Sequence, residues 1–135
     1  MKNNKKNKSY KSPAAKLIGF HVRSARRGCS AVTLKTLKRH ENSIGTVHGG
    51  ILCDISDAAM GYAFESMIPK DRRGVTVEFK INFLRPVFSG DAVTANAKII
   101  SHGNTLYYLE CEILNVQKEL VAKAASTCKI LSCPD

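Results

Sequence analysis

One long helix-forming run stands among segments of β character, and that proportion limits the folds open to this chain more than any other feature. From Gly49 the sequence reads as helix to about Ile68, where Pro69 stops it. Residues 20–26 and 29–35 read as two short strands turning at Arg27-Gly28. After the helix come four more segments, 75–83, 92–101, 105–114 and 120–131. In the first, Val75, Val77, Phe79, Ile81 and Phe83 alternate with Thr76, Glu78, Lys80 and Asn82, the period of a half-buried strand. Gly103-Asn104 marks a hairpin and residues 115–118 a further turn, so these four strands are expected to form a meander. One helix among about five to six antiparallel strands implies an α+β fold with the sheet wrapped on a central helix.

A chain of 135 residues suits one core, expected over residues 12–135. Ser12 as cap and Pro13 at the first position start a short helix that Gly19 ends. Residues 1–11 are Lys/Asn-rich with little apolar content, which predicts a disordered basic leader. No apolar run approaches a membrane span, and no apolar segment follows the leader as a secretory signal would require. The net charge is +10, and its whole excess lies early: residues 1–40 carry twelve Lys or Arg and no acid. The leader could tether nucleic acid or a membrane. Its single aromatic, Tyr10, and its lack of amphipathic period favour a solubilising tail with no specific nucleic-acid partner. Five Cys without paired spacing argue against a disulfide framework and for a reducing cytoplasm. No CxxC or HExxH occurs, so neither a metal nor a cofactor is expected.

The chemistry concentrates in Asn42-Ser43-Ile44-Gly45-Thr46-Val47-His48-Gly49-Gly50 and in Asp57 on the helix that follows. Gly-Gly at a helix start is either a tight turn or a set of bare N–H donors that can hold a developing oxyanion. A lone His there is either structural or catalytic. At 100° per residue, Ile51, Leu52, Ile55, Ala58, Ala59 and Tyr62 share one broad face, and Asp57 points away among Cys53, Met60, Gly61 and Phe64. A helix apolar on both sides is covered on both sides. One sheet covers one side, so the other is expected to meet a second subunit. Asp57 is then a solvated residue, a hydrogen-bonded buried one, or the acid that does chemistry. Asp54 is expected in the first turn, where a carboxylate complements the helix dipole.

These residues resemble a known family. Asn42-x5-His48-Gly49-Gly50-x6-Asp57, with Gly74-Val75-Thr76-Val77 and Asn82-x2-Arg85-Pro86 downstream, is similar to the hotdog-fold acyl-CoA thioesterases, in their phenylacetate-degradation-like (PaaI-type) branch. The resemblance spans roughly residues 13–131 and implies roles residue by residue. The Gly49 N–H would bind the thioester carbonyl oxygen. Asp57 would be general base or nucleophile, Asn42 would position the water or the carbonyl, and Thr76 would hold the water. His48 would orient the turn. The resemblance further implies a homodimer with sites at its interface, Asn42 and Gly49 from one subunit and Asp57 and Thr76 from the other, commonly as a dimer of dimers. The acyl-CoA substrate would meet Gly50, Met60 and Phe64; Arg85, before Pro86, is either a partner for its phosphates or one half of a structural ion pair, and Arg72 and Arg73 are weaker phosphate candidates that read better as solvated surface charges.

Two other readings remain open. A non-catalytic hotdog module could bind acyl-CoA as an effector, although residues 1–40 leave little room for a DNA-reading domain. A hotdog dehydratase would want Phe-Pro-Gly after its His, where this chain has Gly-Gly.

Overall fold

The computed structural model describes residues 12–132; the leader 1–11 lies outside the described residues. In chain order the elements are α1 (Pro13–Ile18), β1 (His21–Arg26), β2 (Cys29–Lys35), a 3-10 turn (Lys38–His40), α2 (Gly49–Glu65), β3 (Gly74–Phe83), β4 (Ala92–His102), β5 (Leu106–Asn115) and β6 (Leu120–Ile130). The strands form one antiparallel sheet in the order β1-β2-β4-β5-β6-β3, and α2 lies along its inner face. The expected α+β hotdog architecture is what the chain adopts.

The meander is the part of the topology that differs. β4, β5 and β6 follow one another, but β3 pairs only with β6, at the far edge of the sheet from β1. Hairpin signals reveal which neighbours in sequence pair. They are silent about a strand whose connection, residues 84–91, crosses the fold. At its edge β3 keeps its period but not its burial: Phe79 and Ile81 are half-buried, whereas Val75, Val77 and Phe83 are exposed. The pairing with β6 also slips between Thr76 and Glu78, a bulge at Val77.

Alternation on the other strands divides inside from outside. Val32, Leu34, Val93, Ala95, Ala97, Leu109, Cys111, Ile113, Ala122 and Ala124 face α2 and are buried. The alanines on β4 and β6 let the helix sit close to the sheet. Ser30 Oγ uses that proximity to donate to the Ala59 carbonyl.

The helix ends three residues before the expected Ile68. Ser66 N–H donates to Tyr62 O and its Oγ donates to Ala63 O, closing the last turn, and the same Oγ accepts from Gly28 N–H at 2.8 Å. One hydroxyl therefore both terminates α2 and pins the β1–β2 turn. Among the described residues no helix is long and apolar enough to cross a membrane.

Candidate active site

The loop that enters α2 is held from several directions. Asn42 Oδ1 accepts from the N–H groups of Ile44 and Thr46, and its Nδ2 donates to Thr46 Oγ1 at 2.8 Å. The amide expected to position water or carbonyl thus braces its own loop. Behind it, buried His40 accepts at Nδ1 from Leu37 N–H, donates from Nε2 to Ile18 O at 2.7 Å, and receives His48 N–H on its carbonyl. These bonds require the Nε2–H tautomer, since Leu37 N–H can only donate. His40 ties α1, the 3-10 turn and the start of α2 together. Spacing alone had no means to show this, because its partners are backbone groups up to 22 residues away.

His48 caps α2. Its Nδ1 accepts from Gly50 N–H at 2.8 Å, which assigns His48 an orienting position and consumes the Gly50 donor. Gly50, expected to touch substrate, therefore offers no free N–H. The Gly49 N–H has no acceptor among the described residues, and it stands at the positive end of a 17-residue helix. Gly49 lines a cleft of about 350 Å³ with Leu52, Phe83, Leu84, Arg85 and Val87. Arg85 is at that mouth, where its Nη1 pairs with Glu119 at 3.1 Å in an exposed contact.

Asp57 opens into a different cleft, of about 280 Å³, lined by Ser12, Ala14, Phe20, Asp54, Ala58, Gly61, Tyr62, Glu65 and Thr76. Thr76 Oγ1 donates to Asp57 Oδ1 at 2.9 Å, so the β3 hydroxyl expected to hold water holds the carboxylate itself. Cys128 Sγ lies 3.8 Å from Thr76 Oγ1 and links the pair to Ser126 in the core. Burial raises the Cys128 thiol, against the lowering effect of those two hydroxyls, so it stays protonated at neutral pH and can donate to Thr76. A wider depression of about 400 Å³ lies on the outer face of the sheet, between Ser24, Asn96, Lys98, Glu110 and Lys123, and holds none of the candidate residues.

Two expectations about α2 are corrected. Met60 and Phe64, expected beside substrate, are 0% and 2% exposed and belong to the chain's own core. Phe64 has nearly the azimuth of Asp57, seven residues away, but β3 begins directly over it; azimuth records direction and not what lies above each turn. Ala58 and Tyr62, expected on the core face, are half-buried against the core and also line the Asp57 cleft. Asp54 is in the second turn, not the first. Its Oδ2 is buried with no hydrogen-bond partner, and burial, then the charge of Asp57, raise its carboxyl above the usual range.

One long helix inside an antiparallel wrap defines a hotdog fold, and on it stand a bare N–H at the helix start and a carboxylate held by a hydroxyl. The comparisons agree. A model of the thioesterase superfamily matches residues 44–122. Acyl-coenzyme A thioesterase PaaI of Escherichia coli is 33% identical over 108 residues, 80% of this chain and 75% of that one. A conserved protein of Pseudomonas aeruginosa superposes with a TM-score of 0.86 at 32% identity, covering 93% of this chain and 99% of the other. A hypothetical thioesterase protein of Streptococcus pneumoniae, solved with coenzyme A, superposes with a TM-score of 0.78 at 26% identity, over 86% and 88% of the two chains. The chain belongs to the thioesterase superfamily.

Proposed function

We propose that this protein hydrolyses acyl-CoA thioesters, aliphatic or aryl, to the free acid and CoA, at sites that each draw on two subunits. The observation that carries this reading is the separation of the two half-sites. Asp57 stands eight helical steps from Gly49, about 12 Å at 1.5 Å per residue, and the two open into different clefts. No single thioester carbonyl spans them within one chain. A second copy brings the Gly49 of one subunit to the Asp57 of the other. The free edge of β3 supports that pairing, with Val75, Val77 and Phe83 exposed beside Leu84 and Phe88. The resemblance extends it to a dimer of dimers.

The chemistry follows from the groups present. Thr76 fixes Asp57 Oδ1 and leaves the other oxygen to take a proton from water as that water attacks the carbonyl carbon. The charge that builds on the carbonyl oxygen meets the Gly49 N–H and the helix dipole. Collapse of the tetrahedral intermediate breaks the C–S bond and releases CoA thiolate, which takes up the proton. Arg85 stands at the Gly49 cleft as a counter-ion for CoA phosphates, once it exchanges Glu119 for them. The described cysteines are all free, which fits a reducing, cytoplasmic setting.

Thiol release from acyl-CoA by wild type, Asp57→Asn and Asp57→Ala tests the reading. A positioned base contributes about 10²–10⁴-fold, so both variants should lose turnover by that factor while keeping the wild-type oligomeric state. Wild-type turnover in Asp57→Ala would refute the mechanism. Tight acyl-CoA binding without thiol release by the wild type would favour the effector-binding module instead.

A further inference from the structure

α2 carries one glycine in its interior, and nothing in the chain's own structure calls for it. Glycine is less stable than alanine inside a helix, because it gives up more backbone freedom on folding. A positive φ would justify it, but Gly61 is not among the residues with positive φ. A close approach would justify it, as at Gly74, where an added Cβ would fall 2.0 Å from the Phe64 ring. At Gly61 an added Cβ would meet nothing within 4 Å. A kink would justify it, but α2 continues unbroken to Glu65.

Gly61 does form part of the wall of the Asp57 cleft, beside Ala58, Tyr62, Phe20 and Ala14. It lies one turn beyond Asp57, about 6 Å along the helix axis. On the other side of Asp57 the cleft is walled by Asp54, whose carboxyl makes that end polar and unsuited to an apolar tail. The apolar direction therefore runs from Asp57 over Ala58 and Gly61, and it ends at the Glu65 carboxylate, about 12 Å from Asp57 by the same rise.

We propose that Gly61 sets the size of the acyl group this enzyme accepts, its bare backbone holding open the part of the cleft that a medium-length acyl tail fills. The inference rests on Asp57 acting at the thioester carbonyl. An extended chain of C–C bonds of about 1.5 Å advances roughly 1.3 Å per carbon. An acetyl group then stops short of Gly61. A tail of roughly five or six carbons lies over it, and one beyond roughly nine meets Glu65. The substrate class is a thioester of a linear or ring-bearing acyl group of that intermediate length.

The test is a thiol-release series with acetyl-, hexanoyl-, octanoyl- and palmitoyl-CoA on wild type, Gly61→Ala, Gly61→Val and Gly61→Leu, with sedimentation of each variant. Wild type should have its highest kcat/KM at hexanoyl or octanoyl. Gly61→Val and Gly61→Leu should lose tenfold or more there, stay within threefold of wild type on acetyl-CoA, and keep their oligomeric state. Gly61→Ala should melt a few degrees higher than wild type without ligand and show the same length-dependent loss in milder form. A loss equal at all chain lengths, or one accompanied by dissociation, would make Gly61 a seat for the partner subunit and overturn the proposal. A flat series in which wild type turns over and Asp57→Asn does not would overturn this assignment and leave the hydrolase reading standing. Absence of turnover by wild type on every thioester would overturn both.

Discussion

Gly74→Ala is the substitution whose cost the structure specifies most sharply. A Cβ at Gly74 would lie 2.0 Å from Phe64 Cε1, 2.4 Å from Phe64 Cζ and 3.0 Å from the Lys129 carbonyl oxygen. Non-bonded carbons rest about 3.5–4.0 Å apart, so the ring would have to retreat by roughly 1.5–2 Å. It has no room to do so. Phe64 is 2% exposed and meets Tyr107 edge-on, with centroids 4.9 Å apart. Overpacking a core costs about 1–3 kcal/mol, and a displacement this large in a closed site belongs at the upper end. At roughly 3–6 °C per kcal/mol for a chain of this size, the melting temperature should fall by about 10–15 °C. If β3 yields instead of the ring, Thr76 moves away from Asp57 and turnover falls as well. Phe64→Leu removes the offending ring edge, so in the double variant the two costs should fall short of their sum by at least ~1 kcal/mol. Differential scanning calorimetry at one protein concentration, paired with thiol release, measures both effects. A single variant melting within 2 °C of wild type, or a strictly additive double variant, would refute the packing argument.

Other substitutions separate chemistry from stability. Thr76→Val removes the 2.9 Å bond to Asp57. Because that pair is solvent-exposed in the isolated chain, kcat should fall about tenfold with KM and melting temperature nearly unchanged; an unaltered kcat would deny Thr76 its orienting role. Gly49→Pro deletes the N–H at the first helical position, whose φ suits proline, His48 before it is already extended at φ −60 and ψ 134, and the new Cβ, 3.0 Å from Phe83 Cζ, turns that exposed ring aside. Loss of one oxyanion donor predicts a kcat lower by about 10²–10³ in a protein that still folds, and full activity would remove Gly49 from the mechanism. Asp54 has a folded-state pKa above its unfolded value, so the folded state holds more protons in that window and stability falls as pH rises through it. Asp54→Asn should therefore raise the melting temperature more at pH 7 than at pH 4, and equal shifts at the two pH values would contradict the cause.

Much of this protein follows from local pattern, which a linear sequence records faithfully. Ser12 and Pro13 start a helix and Gly19, with φ 93, ends it, because capping is settled among neighbours. The six strands are legible because alternation with period two is a property of each strand alone. The placement of His48, Gly49 and Asp57 is legible because all three lie along a single helix and its cap. What the chain could not state locally is what lies across from what. β3 reads like any half-buried strand, and only the closed sheet shows it at an edge with its valines bare. Asp57 and Phe64 share an azimuth, yet one faces a cleft and the other is roofed by Gly74. Asn42 and Arg85, chosen for their chemical type, turn out to spend their polar groups on Thr46 and Glu119. In the sequence Gly61 is only one small neighbour of Asp57 on the helix, and it gains meaning when the space above it proves empty. Propensity and capping act over a few residues and can be read in order. Burial, pairing and open space depend on segments tens of residues apart, and only the folded chain brings those together.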